Sequence, residues 1–326
     1  MNGLNWIGRI VAGSILGVFM LAPQELMAKR YLDEDFDYSS GNLYNQGDWL
    51  RHGKNDNEPI QLIEPALQYP GYRSESLGLS AKLIGSSATK SHERLQKQFD
   101  SDGVKSGVLY LSALVNVVEA PTGSVYFMAL CQRGAKADNG IIDTKAGTEV
   151  ARVFACVGDG PAKFRLGISK TATAEQDETE DLDPNTTYLV VVKYEFVSGS
   201  NNDIVTMWVN PEPSETEPVP QLVADMEQTD ATASMGLQGV TLRQGSTNTK
   251  IAPDLLVDAI RVTDSWSEIW DGDSSVAHVM DDKTSIGADV YNLQGMLVAR
   301  NLTVEQAIGT LSPGIYIRDG KKLIVK

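Results

Sequence analysis

The chain has 326 residues, enough for one large domain or two moderate ones. Hydrophobic residues make up 42% and charged residues 22%, a balance that fits a folded protein and excludes a disordered one. The formal net charge of −15 repels phosphate backbones and anionic membrane surfaces, so nucleic acid is not an expected partner.

The first expected element is an export signal. Arg9 gives a positive start, and IVAGSILGVFMLA (10–22) is an apolar run of 13 residues. That is short of the ~20 residues a membrane span needs. Ala28 in ELMA is the expected last residue of the signal. No cysteine lies near the cut to carry a lipid. The chain is therefore read as exported, extracellular or on the cell surface, and not as an integral membrane protein.

From residue 30 to about 265 the runs are short, rich in Val, Ile, Tyr and Phe, and separated by Gly, Pro, Asn and Asp. SGVLYLSALVNVV (106–118), GSVYFMALCQ (123–132), EVARVFACVG (149–158), AKFRLGIS (162–169), TYLVVVKYEFV (187–197) and DIVTMWVNP (203–211) are the clearest. GVTLRQG (239–245) and LLVDAIRVTDS (255–265) follow. Many strands with almost no helical period predict an all-β antiparallel sandwich. One helix is expected near 90–99, KSHERLQKQF. The Pro- and acid-rich 211–235 reads as a long loop inside the sandwich. The polar stretch 271–285 reads as a linker between a sandwich at 29–270 and a small C-terminal β-module at 286–326.

AEQDETEDL (174–182) holds the spacing E-x-D-x-x-E in Glu175, Asp177 and Glu180. This resembles the catalytic strand of laminarinase-type jelly-roll β-glucanases. That resemblance implies a nucleophile, a proton donor and a tuning Asp. The intervening residues of a catalytic strand pack into the sheet and are apolar. Here Gln176, Glu178 and Thr179 are polar, so the stretch reads as a solvated loop. His52, His92 and His278 lie in no catalytic motif. Cys131 and Cys156 sit in strand-like runs, and either a disulfide or two buried thiols fits. For sugar contact, Trp49, His52, Tyr69 and Tyr72 lie in irregular segments where side chains reach solvent, with a place in the core as the competing reading. Trp208 and Trp266 are expected in the core.

Residues 31–270 resemble the concanavalin A-like, laminin-G-like jelly-roll modules of exported bacterial proteins. The matching pieces include LDEDFDYSSGNLYNQGDW, ALQYPGYRSESLGLSAKL, LDPNTTYLVVVKYEFVSGSNNDIVTMWVNP and LLVDAIRVTDSWSEI. The resemblance implies a jelly roll and a structural Ca²⁺ where the first and last strands meet. Asp35, Asp37 and Asp258 are the candidate ligands, with a salt bridge from Asp258 to Arg261 as the alternative. No further cofactor is implied. The segment 286–326 resembles the end of the C-terminal sorting domains of the type IX secretion system of Bacteroidetes. Its matching elements are VYNLQG (290–295), LSPGIYI (311–317) and the basic GKKLIVK (320–326). That implies three short strands, turns at Gly295 and Gly314, packing by Tyr291 and Tyr316, and the secretion machinery as a partner. The function expected from all this is a non-catalytic protein that binds glycan or surface, or builds the cell envelope. The alternative is a jelly-roll glycoside hydrolase acting through the carboxylates of 175–180.

Overall fold

The computed structural model describes residues 28–325 apart from 53–57, 73–77, 86–92, 101, 120, 133–134, 137–140, 144–148, 161, 226–227, 232–235, 246–253, 271–286, 293, 313 and 319–320. The expected linker at 271–285, with His278, and His92 lie outside the described residues, as do residues 1–27 of the expected signal. No helix of the described residues is long and apolar enough to cross a membrane.

In chain order the strands are β1 (Arg30–Glu34), β2 (Gly41–Asn42), β3 (Leu50–His52), β4 (Gln61–Ile63), β5 (Ser80–Leu83), β6 (Arg94–Gln98), β7 (Val108–Val117) and β8 (Val125–Cys131). They continue as β9 (Ala135–Lys136), β10 (Ile141–Asp143), β11 (Glu149–Val157), β12 (Phe164–Ser169), β13 (Asp177–Glu178) and β14 (Thr187–Glu195). The sandwich ends with β15 (Ile204–Val209), β16 (Leu222–Ala224), β17 (Gly239–Arg243) and β18 (Leu255–Thr263). Sheet A runs β16-β15-β14-β7-β18-β5-β4-β2, with β1 also on β18. Sheet B runs β13-β12-β11-β8-β17-β6-β3-β10-β9. Pairing is antiparallel except for β10 on β3. The chain is an all-β jelly-roll sandwich, as its strand runs predict.

Period-two alternation places the core. On β7, Leu109, Leu111, Ala113, Val115 and Val117 point between the sheets. Tyr110 and Leu114 point out of the sandwich into a second apolar cluster. β14 repeats this, with Val190, Val192 and Tyr194 inward and Leu189 and Val191 outward. Sheet A is thus apolar on both faces, which requires a cover on its outer side. Residues 65–72, the loop 211–219 and the short 3₁₀ turn Trp266–Ile269 supply it. Trp208 and Trp266 meet edge to face at 4.9 Å, and Trp270 lies 5.8 Å beyond. The Trp208 indole N–H donates to the Pro218 carbonyl at 3.1 Å, and that of Trp266 donates to Ser214 Oγ at 3.1 Å. Both tryptophans are core, as expected, whereas the loop expected over 211–235 is interrupted by β16, which pairs with β15.

β18 occupies the middle of sheet A. β7 flanks it on one side, and on the other β5 pairs with its first half while β1 pairs with its second. The two partners meet at Asp258 and Ala259, where Ala259 has φ 48° and the register against β7 shifts.

Three sequence expectations are corrected. The helix near 90–99 is strand β6 over its described part. Arg94, Gln96 and Gln98 alternate with Leu95 and Lys97, and Leu95 enters the core while Arg94 and Gln96 face out. Burial of one face at period two overrides the helix propensity of these residue types. The stretch 174–182 is only partly loop, because Asp177 and Glu178 add an edge strand to β12. The third concerns the C-terminal unit, which has four strands and a helix rather than three strands.

That unit comprises β19 (Ala288–Asn292), β20 (Leu297–Leu302), α1 (Val304–Thr310), β21 (Gly314–Arg318) and β22 (Lys321–Val325), in sheet order β20-β19-β21-β22. Thr303 and Gln306 form a reciprocal capping box that starts the helix. Val290 and Ala307 are its buried centre, and Tyr316 packs against them. Gly295 has φ 78° in the β19–β20 turn, a conformation open to glycine. Gly314 opens β21 rather than occupying a turn. Tyr291 is 37% exposed and does not pack as expected.

Candidate functional site

Sheet B differs from sheet A on its outer side. The inner face carries Leu95, Met128, Leu130, Val153, Leu166, Val240 and Leu242. The intervening positions bring polar residues from five neighbouring strands onto one outer face. Arg94 and Gln96 come from β6, Thr241 and Arg243 from β17, Tyr126 from β8, Glu149 and Arg152 from β11, and His52 from β3.

Two bulges make this possible. Glu149 and Arg152 are three residues apart, so strict alternation would put them on opposite faces. Ala151 has φ 50° and the β11–β8 register shifts between Val150 and Val153, which turns both residues outward. A second shift between Val153 and Phe154 brings Phe154 opposite Tyr126, and their rings pack edge to face at 5.8 Å.

The face is densely connected. The Arg94 guanidinium donates to Glu149 Oε1 at 2.6 Å. The two residues come from β6 and β11, which β17 and β8 separate, so both side chains extend to meet over the intervening strands. Arg243 and Arg152 stack on Tyr126 at 4.2 and 4.9 Å from the ring centroid. Arg243 also donates to the Tyr126 carbonyl at 3.1 Å. Arg152 donates to the carbonyls of Glu149 at 3.2 Å and Ala172 at 2.9 Å. His52 Nε2 is hydrogen-bonded to Gln96 Oε1 at 3.0 Å. Arg94, Tyr126 and Arg243 are half-buried and open the face to solvent, while His52, Gln96, Glu149 and Arg152 are buried.

Three guanidiniums against one carboxylate form a positive island on a protein whose net charge is −15. Burial, then the charge of Arg94, holds the His52 pKa down at about 4, against the pull of Glu149 and Gln96. The imidazole is therefore neutral at neutral pH. Burial also lowers the Arg243 pKa, and the neighbouring charges of Arg94 and Arg152 add to this.

A second cluster sits at the β13 edge of the same sheet. Gly167 has no side chain, and a Cβ there would meet Cys156 Sγ and Glu175 Cβ at 3.0 Å. The ligand atoms of Cys156, Glu175 and Glu178 lie within 4.8 Å of one another, the one such three-residue group among the described residues. These are the side chains with the geometry to share a metal ion. Glu178 is paired with Arg165 at 2.8 Å, and Glu175 Oε2 is buried with no hydrogen-bond partner. Burial, then the Glu175 charge, pushes the Cys156 thiol up to about 12.

The structure regroups the residues singled out in the sequence. Glu175 is near Glu178, not Glu180, which is exposed. Asp177 turns away, its carboxylate accepting the N–H of Glu178 and of Val223, both at 3.0 Å. Of the aromatic candidates, only His52 belongs to the outer face. Trp49 is fully buried, stacks on Phe36 and donates to Glu34 Oε2 at 3.0 Å. Tyr72 is equally buried, with its hydroxyl on the Ala259 carbonyl and the Arg261 guanidinium over its ring. Both are framework residues.

Asp258 is fully buried. Its Oδ1 accepts the Ala259 N–H at 2.6 Å, and its Oδ2 accepts the Leu67 N–H at 2.7 Å and the Ser80 hydroxyl at 3.3 Å. Backbone and hydroxyl donors thus satisfy the carboxylate at the β1–β5 junction. Arg261 bonds Asp33 at 3.1 Å and donates to the carbonyls of Tyr72 and Ile269, both at 3.0 Å. Asp35 is half-buried against Gly78, where a Cβ would meet its carbonyl at 2.0 Å.

Cys131 and Cys156 are free and buried. Cys131 sits opposite Glu149, and Cys156 lies seven residues further along β11, about 20 Å away. That is beyond the ~7 Å reach of a disulfide.

The arginines of the outer face escaped sequence reading because they are scattered over positions 94, 152 and 243. The usable signal was a charged pair, Glu149 and Arg152, inside the otherwise apolar run EVARVFACV.

No family model matches the chain, and no curated protein matches it. Solved structures similar to it include a carbohydrate esterase from Shiga toxin-encoding bacteriophage phi24B, at 16% identity and TM-score 0.44, over 72% of this chain and 98% of that one. Another is a variant of alginate lyase Aly36B in complex with an alginate trisaccharide, at 15% identity and TM-score 0.42, over 71% and 96%. A third is an endo-β-1,4-glucuronan lyase from the fungus Trichoderma reesei, at 8% identity and TM-score 0.42, over 72% and 95%. The sequence led to the expectation of a non-catalytic module, whereas these similar structures are of enzymes acting on carbohydrate. The likeness itself is one of fold: a jelly-roll sandwich used by carbohydrate-active proteins.

Proposed function

We propose that the chain is an enzyme acting on an acidic carbohydrate, with the outer face of sheet B as its substrate face. The observation that carries this reading is the positive island of Arg94, Arg152 and Arg243 around Tyr126. Guanidiniums match carboxylates in planar, two-pronged geometry, and a half-buried site strengthens the pairing. His52 stays neutral beside them, and with its pKa near 4 it serves as a hydrogen-bonding group rather than as a base at neutral pH. Arg94 and Arg243 bind acid groups of the saccharide in this reading, and Arg152 fixes Tyr126.

The test is a panel of neutral and uronate-rich polysaccharides, assayed for new reducing ends and for the ultraviolet absorbance of an unsaturated uronate. Cleavage confined to acidic polymers, falling at least ten-fold in Arg243→Ala, is the expected result. Cleavage of neutral polymers alone, or of none, overturns it.

A second reading rests on Glu175 and Glu178, which approach each other at a separation of the order used by retaining glycosidases. It predicts saturated products and loss of activity in Glu175→Gln. Export and sorting through 286–326 belong to the same proposal, and deletion of that unit is expected to leave the protein inside the cell envelope.

A further inference from the structure

The first residues of the fold are held by charge in a way the sandwich itself does not require. The Lys29 backbone N–H donates to Asp264 Oδ1 at 2.7 Å, and the Asp264 N–H donates back to the Lys29 carbonyl at 3.1 Å. Lys29 Nζ pairs with Asp100 at 3.3 Å and lies 4.0 Å over the Tyr31 ring. Asp264 and Asp100 thus bracket Lys29. Ala28 and Lys29 are exposed, and β1 begins only at Arg30, so the bond between them lies outside the ladder. A cleft of 730 Å³ opens beside it, lined by Ala28, Tyr31, Asp100, Asp102 and Asp264 among others.

A carboxylate 2.7 Å from a backbone nitrogen makes one charge-assisted hydrogen bond to an amide. The same carboxylate facing an ammonium makes an ion pair as well. The sequence ends the expected export signal at Ala28, and we propose that Asp264 is the dock for the α-ammonium that cutting the Ala28–Lys29 bond leaves on Lys29. A separate endopeptidase adds water across the bond. Ala28 leaves with a carboxylate, and Lys29 keeps the nitrogen, which takes up a proton to become an ammonium. The cut replaces a neutral N–H by a cation in front of Asp264, with Asp100 and Asp102 close by, and ties β1 to the end of β18. Cutting and docking are thereby coupled, because the charge appears only where the correct bond is cut. This inference is independent of the carbohydrate reading.

The test starts from the full chain, expressed in an exporting host and recovered from outside the cytoplasm. Intact mass and N-terminal sequencing are expected to give Lys29 as the first residue. The α-amine of the recovered protein is then labelled with an acylating reagent at neutral pH. In the parent protein it is expected to react about five- to ten-fold more slowly than in Asp264→Asn, which keeps an acceptor oxygen but removes the charge. A different first residue, or an uncut chain, overturns the processing site. Equal labelling rates in the two proteins overturn the dock. Should Asp264→Asn fail to accumulate, Asp100→Asn serves as the second variant, with a smaller acceleration of labelling expected.

Discussion

The two outer faces of the sandwich are built by the same alternation and end in opposite chemistry. Sheet A turns Tyr110, Leu114, Leu189, Val191 and Trp208 outward, and the chain closes over them with Tyr72, Trp266, Ile269 and Trp270. Sheet B turns Arg94, Gln96, Glu149, Arg152, Thr241 and Arg243 outward, with His52 at one side. An apolar outer face gains free energy from any cover, and the protein uses its own loops. A face of linked guanidiniums gains most from a partner that brings negative charge. The lesson is that, within one fold, the face covered by apolar residues stabilises and the face carrying unbalanced charge is the place to look for function.

Substitutions break this comparison in a definite order. The largest effect belongs to the apolar face: Trp208→Ala is expected to cost about 3–5 kcal/mol, read as a fall in the denaturation midpoint with no change in which polysaccharide is cleaved. Next comes His52. Its folded pKa lies near 4, below the ordinary 6.5, so the unfolded chain binds more protons between those values. Stability is complete above pH ~6.5 and declines as pH falls toward 4, by on the order of 3 kcal/mol. Denaturation curves across that window should show the decline, and His52→Gln should flatten it. Trp208→Ala should lower the whole curve and leave that part of its shape unchanged.

A smaller stability effect, with a larger functional one, is expected from Arg243→Ala. It removes one hydrogen bond and one ring contact, about 1–2 kcal/mol, while activity on acidic polymer falls at least ten-fold. The smallest effect is reserved for Tyr291→Ser in the C-terminal unit, where exposure of 37% limits the change to about 0.5 kcal/mol by the same denaturation measurement. A large loss there would mean that Tyr291 packs in solution, as its sequence pattern suggested.

The fold was legible because long strands such as β7 and β14 write their periodicity openly. The core roles of Trp208 and Trp266 were legible from the family pattern that TMWVNP and DSWSEI resemble. The outer face of sheet B was not, because its side chains come from distant segments and depend on bulges at Ala151 and before Phe154 that no residue type announces. The acidic stretch 174–182 was half legible. Its solvated character holds at exposed Glu180, yet backbone pairing of Gln176 and Thr179 with β12 turns Glu175 and Glu178 toward Cys156. Trp49 and Tyr72 take the core place that competed with sugar contact, because a loop that folds back onto a sheet buries its aromatic side chains.

The position of β18 has a consequence for the order of events in the cell. This strand, Leu255–Thr263, is the keel between β7 on one side and β5 with β1 on the other, so β1 finds its ladder partner more than 220 residues downstream. Sheet A is left as separate, unjoined pieces until that strand has been synthesised. Such distant pairing is slow to form. The nascent chain thereby stays incompletely folded for most of its synthesis, and the jelly roll locks only when its last strand arrives.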